Sequence, residues 1–143
     1  MYILSKQPSI ANQFIAELRN IQIQKDRMRF RKNLERLGEI LAYEISKSME
    51  YNVVEIETPL AKSKIEVPNH QPVIIAVLRA SLPFYQGFLN FFDNAESGFI
   101  GAFREEKDDD ITINLGYHAS PDITGKELIL ADPMLATGKS LIK

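Results

Sequence analysis

The chain contains no cysteine and no tryptophan among its 143 residues, and its charges nearly balance at a net value of −2. Without cysteine, a disulfide framework, a thiolate metal site and a thiol nucleophile are all excluded. A net charge so close to zero gives no electrostatic basis for non-specific binding to nucleic acid or membrane. The uninterrupted apolar runs are too short to span a bilayer, and the first residues lack the apolar core of a signal peptide. We therefore expect a cytoplasmic protein.

The patterns that are present predict one α/β domain spanning residues 1–143. Residues 1–52 are predicted to form N-terminal helices, residues 53–67 a β-hairpin, and residues 72–143 an incomplete α/β core. Four short apolar segments of the core predict strands, at residues 73–78, 99–103, 111–115 and 128–131. Strand–helix–strand order favours a mostly parallel sheet flanked by helices, preceded here by the N-terminal helices and the hairpin.

Local patterns predict where the helices begin and which way the hairpin faces. Ser9 is predicted to cap the first helix, and Ser81 the helix that follows strand 73–78. A longer helix over residues 26–47 is indicated by apolar residues that recur along one face. Alternation in residues 53–67 places apolar and charged side chains on opposite faces of the hairpin.

Charged residues stand at the carboxyl ends of three predicted strands: Arg79, Arg104 and Asp132. Ligands of open α/β sheets bind in the crevice outside those ends, and arginine guanidinium groups match phosphate oxygens well. After Asp132, a short loop leads into a helix start, so backbone N–H groups and the helix dipole favour an anion. We expect a ligand with several phosphates. The candidate residues are Arg79, Arg104, Asp132, Pro133, Met134, Leu135, Ala136, Thr137, Gly138, Lys139 and Ser140.

The segment Thr137–Ser140 also matches the end of a nucleotide-binding P-loop. That motif requires a glycine five positions before Gly138, where this chain has Pro133. Proline has no N–H to donate to a phosphate and its φ is fixed. A P-loop nucleotide-binding fragment is therefore the less favoured alternative.

Asp132–Gly138, followed by Ser140, resembles the phosphoribosyl-diphosphate loop of uracil phosphoribosyltransferases, which belong to the type I phosphoribosyltransferases. Val77–Ala80 is similar to the diphosphate-binding turn of that family. Gly101–Glu106 resembles the segment that carries its second substrate arginine. These segments occur in the family's order, and the likeness extends over nearly all of the chain from about Asp26 onward.

This resemblance implies transfer of ribose 5-phosphate from 5-phosphoribosyl 1-diphosphate to uracil, giving UMP and pyrophosphate in pyrimidine salvage. Arg79 and Arg104 would contact the diphosphate, Asp132 the ribose hydroxyls, and Ala136–Ser140 the 5′-phosphate. No side chain is implied as a nucleophile. The resemblance also implies Mg²⁺ bound mainly through the substrate, near Asp132, a GTP effector, and a homodimer or larger homo-oligomer.

Two features depart from the family pattern. Lys139 stands where the family has a second glycine in the cradle. Its side chain is tolerated if φ is negative, crowds the phosphate, or contacts the phosphate through its ammonium group. The family's uracil-recognition segment lies beyond the position of Lys143, which predicts that the chain is truncated relative to the family. The expected specificity for uracil therefore rests on the resemblance alone. Whether the truncated chain is active is left open.

A basic cluster on the predicted second helix includes Arg27, Arg29 and Arg31. We interpret it as a solvated or subunit-facing surface, or as a contact for the effector that the resemblance implies. The alternative is a non-catalytic phosphoribosyltransferase-like regulator that binds nucleotide or RNA. Because the net charge is −2 and Phe30 is the only aromatic residue suited to base stacking there, nucleic acid is the less favoured partner.

Overall fold

The computed structural model describes residues 1–107 and 110–134, with side chains described at 1–101 and 116–134. The described helices are α1 (Ile10–Arg19), α2 (Arg27–Ser46) and α3 (Leu82–Leu89), with 3₁₀ turns at Leu4–Lys6 and Ile23–Lys25. The described strands are β1 (Tyr51–Glu57), β2 (Lys62–Pro68), β3 (Val73–Leu78), β4 (Ser97–Lys107), β5 (Asp110–Ala119) and β6 (Leu128–Ala131). Among these residues, no helix has the length and apolar character needed to cross a membrane.

Strand β3 lies inside the core sheet, whose described order is β5-β4-β3-β6. It pairs in parallel with β4 and with β6, whereas β5 runs antiparallel to β4 at the edge. Every residue of β3 from Val73 to Val77 is buried, as expected for a strand covered on both faces. The mostly parallel α/β sheet predicted from the sequence is confirmed.

The main core lies where one face of this sheet meets α2 and α3. Alternate residues of β3 and β6 point to this side and pack against aromatic side chains of α3 and the turn after it. Tyr85 also meets Phe99 of β4 edge-to-face, with ring centroids 5.4 Å apart. The buried cluster consists of Ala42, Met49, Ile74, Ala76, Tyr85, Phe88, Phe92, Ile129 and Ala131.

The helix starts differ in how their backbone N–H groups are satisfied. Asp26 caps α2, because its carboxylate accepts hydrogen bonds from the backbone N–H groups of Met28 and Arg29 at 3.1 and 3.0 Å. Ser9 and Ser81 occupy the predicted N-cap positions, but neither side chain makes a capping hydrogen bond. The predicted side-chain caps at the two serines are therefore wrong.

Strands β1 and β2 form a separate two-stranded antiparallel ribbon. Val54 lies opposite Ile65 and Asn52 opposite Val67, so Val54, Ile56, Ile65 and Val67 share one face, as the alternation predicted. We call these four residues the hairpin apolar face. Ile56 and Ile65 are 42% and 49% exposed, since the ribbon makes extensive contacts only within itself among the described elements.

Strands β4 and β5 are longer than the sequence predicts. Gly101 is the last residue of β4 to pair with β3, opposite Leu78. Beyond it β4 continues to Lys107, paired only with β5. Arg104 therefore lies inside a strand, opposite Ile113, and the prediction that it follows a strand end is wrong.

Helices α2 and α3 touch through a pair of glycines. A Cβ atom added at Gly38 would lie 2.3 Å from the carbonyl oxygen of Phe84, and one added at Gly87 would lie 2.1 Å from that of Glu35. Both obstacles are backbone atoms of the facing helix, which cannot move without displacing the whole helix. The close approach of α3 to α2 therefore requires glycine at both positions.

We expect Gly87→Ala to lower the free energy of unfolding by about 1–3 kcal/mol, the usual cost of overpacking. This loss should occur although alanine has the higher intrinsic helix propensity. Urea denaturation followed by circular dichroism measures it. The control is Gln86→Ala, an exposed neighbour in α3, which should change the value by no more than about 0.5 kcal/mol. Equal stability of the two variants would contradict the glycine contact.

Candidate functional site

Two of the predicted site residues lie at the same edge of the sheet. Ala131, the last residue of β6, pairs with Ala76 of β3, and Asp132 follows directly. Arg79 follows Leu78, the last residue of β3. Because β3 and β6 are parallel neighbours, the structure brings Arg79 and Asp132 together at the carboxyl edge of the sheet.

The turn after β3 is anchored by a buried serine. Ser81 is completely buried, and its Oγ donates a hydrogen bond to the carbonyl oxygen of Val77 at 2.5 Å. The carbonyl oxygen of Ser81 in turn accepts from the N–H of Tyr85 at 2.7 Å. Arg79, by contrast, is exposed, and the peptide bond that precedes it is cis. Ser81 thus ties the turn to β3 while the Arg79 side chain faces solvent.

Asp132 shapes the first turn after β6. One of its carboxylate oxygens, Oδ1, accepts a hydrogen bond from the backbone N–H of Met134 at 3.0 Å. An aspartate that bonds the backbone two residues ahead stabilises a turn by itself. An ionised carboxylate has about four acceptor positions, so Asp132 retains acceptor capacity for hydroxyl groups of a ligand.

Arg104 reaches this side of the sheet by a different route from the one predicted. β4 passes the end of β3, and Arg104 lies three residues beyond Gly101, which pairs with Leu78. At about 3.3 Å per residue, its backbone lies about 10 Å past the carboxyl end of β3. Arg104 is therefore carried by the β4–β5 ribbon. The remaining loop candidates, Leu135, Ala136, Thr137, Gly138, Lys139 and Ser140, lie outside the described residues.

A groove of about 420 Å³ opens beside Asp132, Pro133 and Met134. Most of its lining is apolar and comes from the N-terminal turn, α1, α2 and the start of α3, with Arg19, Gln24 and Asp132 as its polar members. Sequence reasoning missed this groove, because its walls belong to segments far apart in the chain. The lining residues are Leu4, Ile15, Leu18, Arg19, Gln24, Phe30, Leu34, Leu37, Leu41, Phe84, Asp132, Pro133 and Met134.

Helix α1 is held against α2 by a polar cluster that the sequence also did not reveal. Asn33 is completely buried. Its amide donates to Glu17 Oε2 at 2.7 Å, and its carbonyl oxygen accepts from Arg36 Nη1 at 3.0 Å. We call Glu17, Asn33 and Arg36 the α1 clamp. The hydrogen bond from Asn33, followed by one from Gln13, lowers the pKa of the Glu17 carboxyl.

The basic cluster of α2 divides into two parts. Arg29 forms ion pairs within the fold, because its guanidinium lies 3.5 Å from the Glu17 carboxylate and 3.6 Å from that of Asp26. Arg27 and Arg31, one helical turn apart, instead border a hollow of about 230 Å³ together with Gln24 and Phe30. The three arginines that the sequence placed together therefore do not act as one surface.

No group of three or more histidine, aspartate or glutamate side chains in the described part of the chain is arranged to hold a metal ion. At the carboxyl edge of the sheet, the carboxylate that the structure describes is that of Asp132.

The family model and the curated relatives agree on one family. The uracil phosphoribosyltransferase family model matches residues 4–143. A uracil phosphoribosyltransferase of Porphyromonas gingivalis is 50% identical over 139 residues, which cover 96% of this chain and 64% of that protein. One from Sulfolobus acidocaldarius is 38% identical over 153 positions, covering 100% and 69%. A solved structure of an Aquifex aeolicus protein, 29% identical, aligns with a TM-score of 0.80 over 95% of this chain and 64% of its own.

The α1 clamp predicts a specific pH dependence of stability. The pKa of Glu17 is lower in the folded chain than the ordinary value of about 4.5. Its contribution is therefore complete above that ordinary value and is lost as the pH falls through the folded pKa. In urea titrations at pH values from 7 to 3, Glu17→Gln should lose less stability on acidification than the parent does.

The control is Glu57→Gln, which removes an exposed carboxylate on β1 and should keep the acid sensitivity of the parent. A Glu17→Gln variant that loses as much stability as the parent between pH 7 and pH 3 would mean that Glu17 does not stabilise the fold through its charge.

Proposed function

This chain belongs to the uracil phosphoribosyltransferase family, and on that premise we propose that it transfers ribose 5-phosphate from 5-phosphoribosyl 1-diphosphate to uracil in the cytoplasm. The products are UMP and pyrophosphate. The chain spans 64% of the length of the Porphyromonas gingivalis relative. The observation that carries the proposal is the meeting of Arg79 and Asp132 at the carboxyl ends of adjacent parallel strands, where α/β sheets bind phosphorylated ligands.

In the proposed reaction, a ring nitrogen of uracil forms a bond to the anomeric carbon while the bond from that carbon to the diphosphate oxygen breaks. The electron pair leaves with the diphosphate, and the proton of the ring nitrogen is released. Negative charge therefore grows on the leaving group. Fixed positive charges aimed at that position stabilise the transition state more than the ground state, and we assign this role to Arg79 and Arg104.

Asp132 and the loop after it would hold the rest of the substrate. The remaining acceptor capacity of the Asp132 carboxylate suits ribose hydroxyls, and its negative charge suits the cation-like character of the sugar in the transition state. Pro133 and Met134 continue the turn that Asp132 shapes. We propose that Leu135–Ser140 completes the cradle for the 5′-phosphate through backbone N–H groups and the hydroxyls of Thr137 and Ser140.

We propose that Mg²⁺ accompanies the substrate and does not occupy a preformed protein site. Asp132 fits this role, because Mg²⁺ commonly combines one or two carboxylates with substrate phosphate oxygens and water. The ion would neutralise part of the diphosphate charge. Asp132 would orient it, directly or through water.

The first test is binding of 5-phosphoribosyl 1-diphosphate with Mg²⁺, measured by calorimetry. Arg79→Ala should raise Kd by roughly 10- to 100-fold, because a hydrogen bond to a charged group is worth about 1.5–3 kcal/mol. Asp132→Asn keeps an oxygen for the Met134 N–H but removes the charge, and it should raise Kd about tenfold. Lys64→Ala on β2, which removes an exposed charge from the hairpin, should bind as the parent does.

Two outcomes would contradict the proposal. The first is a parent chain that does not bind 5-phosphoribosyl 1-diphosphate, or an Arg79→Ala variant that binds it with unchanged affinity. The second is tighter binding of ATP than of 5-phosphoribosyl 1-diphosphate, which would favour the P-loop alternative.

We further propose that Arg27 and Arg31 contact the phosphate groups of a nucleotide effector such as GTP. Support comes from their position at the start of α2, one turn apart beside the hollow with Gln24 and Phe30. Positive side chains at a helix N-terminus are favourable for phosphate. Arg29, whose guanidinium lies 3.5 Å from Glu17 and 3.6 Å from Asp26, is less suited to this role.

We propose that the protein forms homodimers through the hairpin apolar face. A two-stranded ribbon alone is marginally stable in water, and Val54, Ile56, Ile65 and Val67 form one apolar side of it. The opposite face carries Glu55 and Glu57 on β1 and Lys62, Lys64 and Glu66 on β2, with Glu55 and Lys62 2.9 Å apart.

Sedimentation velocity tests this assembly. Ile56→Ser combined with Ile65→Ser should convert a dimer of the parent to monomer, because each substitution removes apolar contact area from the interface. Lys64→Ala, on the charged face, is the control and should leave the dimer intact. A monomeric parent, or a dimer that survives the double substitution, would contradict this interface.

A further inference from the structure

Asn33 is the largest polar side chain that the described fold buries completely. Both ends of its amide are used, one toward Glu17 of α1 and the other toward Arg36 of α2. A leucine, whose side chain has the same number of heavy atoms, would avoid the cost of removing an amide from water at this position. Buried polar groups of this kind often select one relative arrangement of two helices over others that apolar packing allows equally well.

The α1 clamp restrains the rotation of α1 about its own axis. Arg36 lies over the ring of Phe14, with its guanidinium carbon 5.0 Å from the ring centre, while Asn33 holds Glu17. Phe14 and Glu17 are three residues apart and so lie on one face of α1. Contacts from α2 to both residues fix which side of α1 faces the rest of the molecule.

The neighbouring face of α1 forms a wall of the groove at the edge of the sheet. Ile15 follows Phe14 in the sequence, and Leu18 follows Glu17. Both Ile15 and Leu18 line that groove together with Pro133 and Met134. A rotation of α1 by one residue would replace these apolar side chains with those now directed at α2. The orientation of α1 thus determines which of its side chains line the groove opposite Pro133 and Met134.

We propose that Asn33 is a positioning residue for the substrate edge: by joining Glu17 to Arg36, it holds α1 as the wall of the groove beside Asp132–Met134. The turn that begins at Asp132 is thereby kept ready for the ribose and phosphate of the substrate. This consequence for binding rests on the proposed function. The mechanical link from Asn33 to Met134 does not depend on it.

The test uses the full chain labelled with ¹³C at its methionine methyl groups. Asn33→Leu keeps the number and branching of the side-chain heavy atoms but removes both hydrogen bonds of the amide. We expect the methyl signal of Met134 to shift or broaden, while that of Met49, which is 8% exposed within the main core, stays unchanged. The Kd for 5-phosphoribosyl 1-diphosphate with Mg²⁺ should rise roughly threefold to tenfold.

Two substitutions at Glu17 test the same link from the side of α1: one removes the hydrogen bond with Asn33 and the other retains it. Glu17→Ala breaks the same link from α1, outside the core of α2, and should reproduce the Met134 change even if Asn33→Leu does not fold. Glu17→Gln retains an oxygen that can accept the hydrogen bond from Asn33, so its Met134 signal and Kd should resemble those of the parent. If Glu17 only stabilised the fold, the Met134 methyl signal would not differ between Glu17→Ala and Glu17→Gln.

Unchanged Met134 signals in folded Asn33→Leu and in Glu17→Ala would overturn the proposal, as would a change that Glu17→Gln shows equally. If Met134 responds but the parent does not bind 5-phosphoribosyl 1-diphosphate, the link stands and the proposed function fails. If Met134 responds and the Kd of a binding parent does not change, the clamp has no role at the substrate edge and the positioning proposal is wrong.

Discussion

The parallel pairing of β3 with both β4 and β6 is the constraint on which the other features depend. It removes the backbone polar groups of β3 from water on both sides and buries Val73–Val77. Because parallel strands end at the same edge, the residues after β3 and β6 both lie at that edge. Arg79 and Asp132 lie at the same edge of the sheet for this reason, although more than fifty residues of chain separate them.

The contact between α2 and α3 extends this constraint to the N-terminal half of the chain. α3 leaves the sheet edge directly after the Arg79 turn, and the approach of Gly38 and Gly87 seats it against α2. α2 in turn carries Asn33, which holds α1. A continuous series of packed elements therefore joins β3 to α1, and the groove beside Asp132–Met134 is enclosed by the members of that series.

Periodicity allowed much of this fold to be predicted. A run such as Val73–Leu78 is apolar at every position, which indicates a strand covered on both faces, and alternation in the hairpin places its apolar residues on one face. Capping was predicted less well, because a serine before a helix has several competing partners. Ser81 bonds the carbonyl oxygen of Val77 instead of an N–H of α3, and nothing within five residues of sequence distinguishes these options.

The sequence by itself determined the order of elements, the apolar segments that become strands, and the motif after β6 that resembles a phosphoribosyl-diphosphate loop. These depend on residues close together in the chain, whose side-chain spacing follows directly from backbone geometry. Only the tertiary structure decided that β4 carries Arg104 past the end of β3, that Arg29 is separated from Arg27 and Arg31, and that Asn33 connects two helices. Each of these results from contacts between distant segments, which local periodicity does not encode.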